Sequence, residues 1–158
     1  MTVAYHDTWS RVYHFVVLGV AAPQGSKRHV GHGIMIESSA RLRPWRAAVT
    51  AAAAEASSGA TTLLGPVTLA ATFSFARPAS HYGTGRNAET LKPSAPIRPS
   101  SHAVGDLSKL VRAVEDAITD SGLWRDDCQV VGFSGTAKRW CDAGEAPNTT
   151  IAIVEVLR

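Results

Sequence analysis

GDLSKLVRAVEDAITDSGLWRDDCQV, residues 105–130, is the stretch from which the fold can be read. Leu107, Val111, Val114 and Ile118 recur at helical spacing with Leu110 and Ala117 on the flank, which predicts an amphipathic helix over 107–119. Past it, an Asp126–Asp127 turn leads into a β-rich run over 128–137. The stretch is also acidic within a basic chain. Residues 106–127 hold six of the 13 Asp and Glu and only three of the 16 Lys and Arg. A basic body attracts polyanions by counterion release, and a carboxylate cluster on it repels them unless a divalent cation sits between. Metal-dependent work on nucleic acid is the function class this asymmetry suggests.

Working outward, residues 12–20, VYHFVVLGV, have the β-branched and aromatic content of a buried strand. Lys27, Arg28 and His29 then lie on a Gly-flanked loop before a short strand at 34–36, together a basic hairpin. Residues 42–57 are Ala-dense, with Pro44 suited to a first turn and Gly59 beyond the end, and predict a helix. Its alanines are expected to permit close packing against a sheet. Residues 67–76 alternate as a strand, and 149–157 form a closing strand after the polar loop RWCDAGEAPN. Between them, residues 77–105 form a long loop with four prolines and the bases Arg77, Arg86, Lys92 and Arg98, read as a flexible basic arm. Strands and helices that mix without strict alternation argue for an α+β fold, a mixed or antiparallel sheet with two main helices packed on it.

A chain of 158 residues, 45% hydrophobic and 18% charged, is expected to form one domain, 1–158, with a real core. Two cysteines 13 residues apart, Cys128 and Cys141, make neither a zinc spacing nor a disulfide framework. The six histidines His6, His14, His29, His32, His81 and His102 show no metal spacing either. With no signal-like segment and no apolar run of roughly 18 residues, a soluble cytoplasmic protein with no membrane partner is expected.

Within the acidic stretch, Ser108, Arg112 and Glu115 share one polar stripe beside the buried face of the helix. Asp106 stands at its start, where an anion caps the helix and meets the positive end of its dipole. Capping and metal ligation are compatible, because a carboxylate has several lone pairs. Extended chain after the helix is long enough for Asp126 and Asp127 to return to Asp106. Lys27, Arg28, Arg41, Arg43 and Arg46 cluster in sequence, and with Arg86, Lys92, Lys138 and Arg139 they read either as a DNA-contacting face or as a solvated basic surface.

The segment resembles the RusA family of Holliday junction resolvases. That family's pattern is Asp-Leu-Asp-Asn-Leu, a Lys four residues after the second Asp, Leu-Asp-Ala-Leu, a turn with an aromatic residue, and Asp-Asp-x-Gln-Val. Here it reads Asp106-Leu107-Ser108-Lys109-Leu110, Arg112, Glu115-Asp116-Ala117-Ile118, Trp124 and Asp126-Asp127-Cys128-Gln129-Val130, with no gap. Pro23-Gln24-Gly25-Ser26-Lys27-Arg28, the Trp45 helix and Arg77-Pro78 through His81-Tyr82 look like the phage-type branch. The resemblance implies a homodimeric endonuclease dependent on Mg²⁺, with Mn²⁺ able to substitute. It would resolve four-way DNA junctions in recombination and repair by paired symmetric nicks. It further implies that Asp106 and Asp127 bind the metal with Asp126 beside them, and that Arg112 replaces an active-site Lys. Ser108 departs from the pattern, standing where the family has its second catalytic Asp, and a hydroxyl is a much weaker ligand for a hard cation. Glu115, two turns along the same stripe, is open as a compensating ligand. The alternative is a branched-DNA-binding protein of the same fold with weakened catalysis.

Overall fold

The computed structural model describes residues 10–25, 27–29, 35–37 and 40–156, the segments 27–29 and 35–37 by their backbone alone. His6 and His32 lie outside the described residues. Nine elements follow in order: β1 (Val12–Leu18), β2 (Lys27–His29), β3 (Met35–Glu37), α1 (Leu42–Ala56), β4 (Val67–Phe75), α2 (Leu107–Ser121), β5 (Val130–Phe133), β6 (Ala137–Trp140) and β7 (Asn148–Glu155). Short 3₁₀ turns lie at 79–81, 85–87, 102–104 and 127–129.

The main sheet is mixed, as expected. β7 lies between β1 and β4 and is antiparallel to both, and on its far side β4 pairs in parallel with β5 and β6. β2 and β3 form a separate antiparallel pair in which Lys27 faces Glu37. The single run expected over 128–137 is two strands. β5 lies along Val67–Leu69 and β6 along Thr72–Phe75, so Arg139 and Trp140 belong to a strand and not to the polar loop. Between the two strands Ser134 N donates to Leu69 O, and Thr136 Oγ1 accepts from Ala71 N. Backbone groups of β4 that the break would orphan are thereby satisfied.

Period-two burial puts Tyr13, Phe15 and Val17 of β1 beneath the helices and leaves Val12, Val16 and Leu18 exposed. α1 buries Leu42, Trp45, Val49 and Ala53, one stripe at helical spacing. The dense-alanine reading needs correction here. Ala47, Ala48, Ala51, Ala54 and Ala56 face solvent, so their contribution is helix propensity and not close packing. α2 buries Leu110, Val111, Ala113, Val114, Ala117 and Ile118. Its buried face is centred on Leu110, Val114 and Ala117, because α1 covers the flank that the sheet leaves open, and Thr50 Oγ1 donates to Ala117 O across that helix pair. α2 ends at Gly122, whose φ of 77° is a left-handed cap that costs other residues more.

Residues 77–105 are not a structureless arm. Arg77 and the Trp140 indole both donate to Pro96 O, each at 2.9 Å. The Arg77 guanidinium also lies 5.1 Å from the centre of the Trp140 ring, and His81 meets that ring edge-on. Trp140 at the end of β6 is thus the fastening point, and nothing in the loop's own composition announces it. Among the described residues no helix is long and apolar enough to cross a membrane.

Candidate active site

α2 carries the candidate site on its exposed side, and the two ends of the helix serve different parts of it. At the start, Asp106 holds the N-cap position with extended backbone, yet its side chain accepts no cap hydrogen bond. Its carboxylate is turned instead toward Lys109, with Nζ 3.1 Å away. The peptide around this start is held from two other elements. Lys138 Nζ donates to Gly105 O at 2.9 Å, and Gln24 N donates to Lys109 O at 2.9 Å. Gly105 itself, at φ 76°, lies so close to Pro23 that a Cβ would come within 2.6 Å of its ring.

Further along, Ser108 and Glu115 line one groove of about 510 Å³ with Leu107, Val111, Phe133 and Thr136, which bears out their shared stripe. Arg112, at the edge of that stripe, opens on a neighbouring recess with Gln24, Gly25 and Lys109. Glu115 is half-buried, and its pKa is raised, first by burial and next by the charges of Asp127 and Asp116, against the opposing pull of Arg112.

The returning pair, Asp126 and Asp127, sits beside the second half of α2 and not at its start. A recess of about 150 Å³ there is lined by both aspartates together with Arg46, Asp116, Thr119 and Asp120. Glu115 is nine residues from Asp106, about 14 Å along the axis at the α-helical rise. Between helix and turn, Trp124 is buried, its indole donating to Thr119 Oγ1. Gln129 then locks the turn: Nε2 donates to Leu63 O and Gly65 O at 3.0 and 2.8 Å, while Oε1 accepts from Arg125 N and Asp126 N. Asp126 Oδ1 accepts from Cys128 N, which lowers the Asp126 pKa and keeps it ionised. Asp127 is left exposed with its charge toward Glu115.

Among the described residues no group of three or more Asp, Glu, His or Cys stands close enough to hold a metal ion, so Asp106, Asp126, Asp127 and Glu115 are not one ready-made ligand set. A cation of the Mg²⁺ class does not need one. It takes one or two carboxylates and completes its shell with water and phosphate oxygens. Asp127 is an exposed carboxylate free for such a role, while Glu115 lines the neighbouring groove, with the Asp127 charge contributing to its raised pKa.

The nine basic residues read as a DNA face divide into groups. Lys27 and Arg28 lie on β2, where only the backbone is described. Arg41, Arg43 and Arg86 are exposed and make no ion pair among the described residues. Arg46 bridges Asp116 and Asp120, Arg139 bridges Asp142 and Glu145, and Lys92 donates to Ser80 O. Lys138 is spent on Gly105 O. Gln24, Lys109 and Gln129 were missed as site residues. Their roles are backbone contacts and a shared recess, which residue type and spacing do not encode.

No curated protein matches the chain. Residues 19–154, nearly its whole length, match the family model described as Endodeoxyribonuclease RusA. The break between β5 and β6, the α2 start and the Asp126–Asp127 turn all fall inside that match, and β1 precedes it. The chain belongs to the RusA family of endodeoxyribonucleases, which resolve Holliday junctions.

Proposed function

We propose that this protein is a divalent-cation-dependent endonuclease that binds four-way DNA junctions as a homodimer and resolves them by paired nicks in recombination and repair, in the cytoplasm. The observation that carries the reading is the family match over residues 19–154, supported by the carboxylates Asp106, Glu115, Asp126 and Asp127 along α2 in a chain otherwise rich in cations. When bound there, Mg²⁺ or Mn²⁺ supplies an activated water and a polarised phosphoryl oxygen. Asp106 and Asp127 would hold it, with Glu115 available as a further carboxylate. Asp126, fixed by the Cys128 amide and by Gln129, keeps Asp127 presented. Arg112 lies near enough to Glu115 to oppose its raised pKa, and offers a guanidinium to a bridging phosphate. Two copies related by a two-fold axis match the symmetry of the junction.

The test is cleavage of a synthetic four-way junction in Mg²⁺ and in Mn²⁺. Asp127→Asn is expected to lose more than about 100-fold in rate, since even outer-shell partners of metal ligands cost 10- to 100-fold. Glu115→Gln falls with it, while Ser108→Asp cuts faster than wild type. Ser108 favours a second reading, a branched-DNA-binding protein whose cleavage has decayed. Tight junction binding without nicking in either metal, together with gain of nicking by Ser108→Asp, selects that reading instead.

A further inference from the structure

We infer that the Pro23–Gly25 turn and the first turns of α2 build a subsite for a backbone phosphate of the DNA, with Lys109 and Arg112 as its cations. The recess between them is about 260 Å³ and is lined, among the described residues, by Gln24, Gly25, Lys109 and Arg112. Two cations and no acid line it. A phosphate is the anion of the right size and charge for a pocket of this kind on a DNA enzyme, and the inference therefore rests on the nuclease reading above.

The recess is built and not incidental. Gln24 N is tied to Lys109 O at 2.9 Å, so the turn and the helix move as one. Pro23 fits against Gly105 so tightly that no side chain is tolerated there. Gln24 Oε1 is buried without a partner among the described residues, an acceptor that a water bridging to the phosphate would satisfy by donating to both. Arg112 makes no ion pair among the described residues, and the Lys109 ammonium is held only by Asp106 in a contact whose side chains are 49% and 61% exposed. Exposed pairs of this kind are weak, so a phosphate can take Lys109 from Asp106. Asp106 is then left without its internal cation. Binding of DNA at this recess and availability of Asp106 are coupled through one side chain.

Two measurements on the full chain, both in EDTA, decide it. Titration of inorganic phosphate against chloride at matched ionic strength, followed by ¹H–¹⁵N NMR, should shift the Gln24 and Gly25 amides saturably in wild type and not in Lys109→Met. Absence of the shift, or its persistence in the variant, overturns the subsite. Binding of a labelled four-way junction over a salt series should show the slope of log K against log salt reduced by about one unit in Lys109→Met and in Arg112→Met. Lys109→Arg should restore the slope. Unchanged slopes in a protein that binds junctions overturn the assignment to DNA phosphate. A wild-type protein that binds no junction but shows the phosphate-dependent shifts retains an anion site and loses the nuclease reading, so the two failures are distinct.

Discussion

Glu115 is the residue whose protonation reports on the site. Burial and Asp127 raise its pKa, so the folded protein holds that proton more tightly than the unfolded chain. Stability attributable to this group is therefore greatest at low pH and declines as pH rises through the ordinary value of 4.5 and on through the raised folded value. Glu115→Gln removes that loss. It should melt about 1–2 °C above wild type at pH 7 and equal to it near pH 4, the effect being small because the group is half in water. Added Mg²⁺ or Mn²⁺ should raise the melting temperature of wild type and not of the variant. A variant that melts lower than wild type at pH 7 and keeps the metal effect removes Glu115 from the site.

At the scale of elements, the Asp126–Asp127 turn depends on Gln129, which satisfies two carbonyls before β4 and two amides of the turn with one side chain. Gln129→Leu should destabilise by about 1–3 kcal/mol in urea unfolding, the cost of polar groups left without partners. It should also slow cleavage while junction affinity holds, since the aspartate pair moves and the cations do not. The β6–β7 connection is a second such device. Glu145 accepts from Asp142 N, from Asn148 Nδ2 and from Arg139, which together lower its pKa to about 2. A depressed carboxylate stabilises above 4.5 and loses its contribution as pH falls toward 2. Glu145→Gln should thus melt lower than wild type at pH 7, with the gap closing by pH 2. Arg139, committed to this connection, should leave the salt dependence of DNA binding unchanged when replaced by Gln.

For the whole molecule, the chemistry is confined to one side of α2 while the far edge of the sheet is apolar. β1 pairs only with β7 among the described residues, and its outward Val12, Val16 and Leu18 are 60%, 49% and 74% exposed. An edge strand that meets its own copy in antiparallel pairing makes a two-fold contact by construction, the symmetry a four-way junction requires. If two copies meet at this edge, light scattering should give a dimer for wild type and a monomer for Leu18→Asp, whose nicks should appear singly and not in opposed pairs. A wild-type monomer removes the dimer, and a Leu18→Asp dimer places the contact elsewhere.

The periodicity of Leu110, Val114 and Ile118, the alternation in β1 and β4, and the spacing from Asp106 to Gln129 are properties of neighbouring residues, and they sufficed for the α+β architecture and the family. Long-range contacts lay beyond that reach. Trp140 fastens the 77–105 loop across more than 40 residues of chain. The break between β5 and β6 follows from which half of β4 each can pair with. Nothing near Arg46 in sequence reveals Asp116 and Asp120 as its partners, whereas Asp142 and Glu145 lie within six residues of Arg139 and meet it because the chain turns there. The Asp126–Asp127 pair stops beside Glu115 because a buried Trp124 and the Gln129 clamp set where the chain comes to rest. Residue type and spacing determine which groups are available, and packing at a distance determines which of them meet.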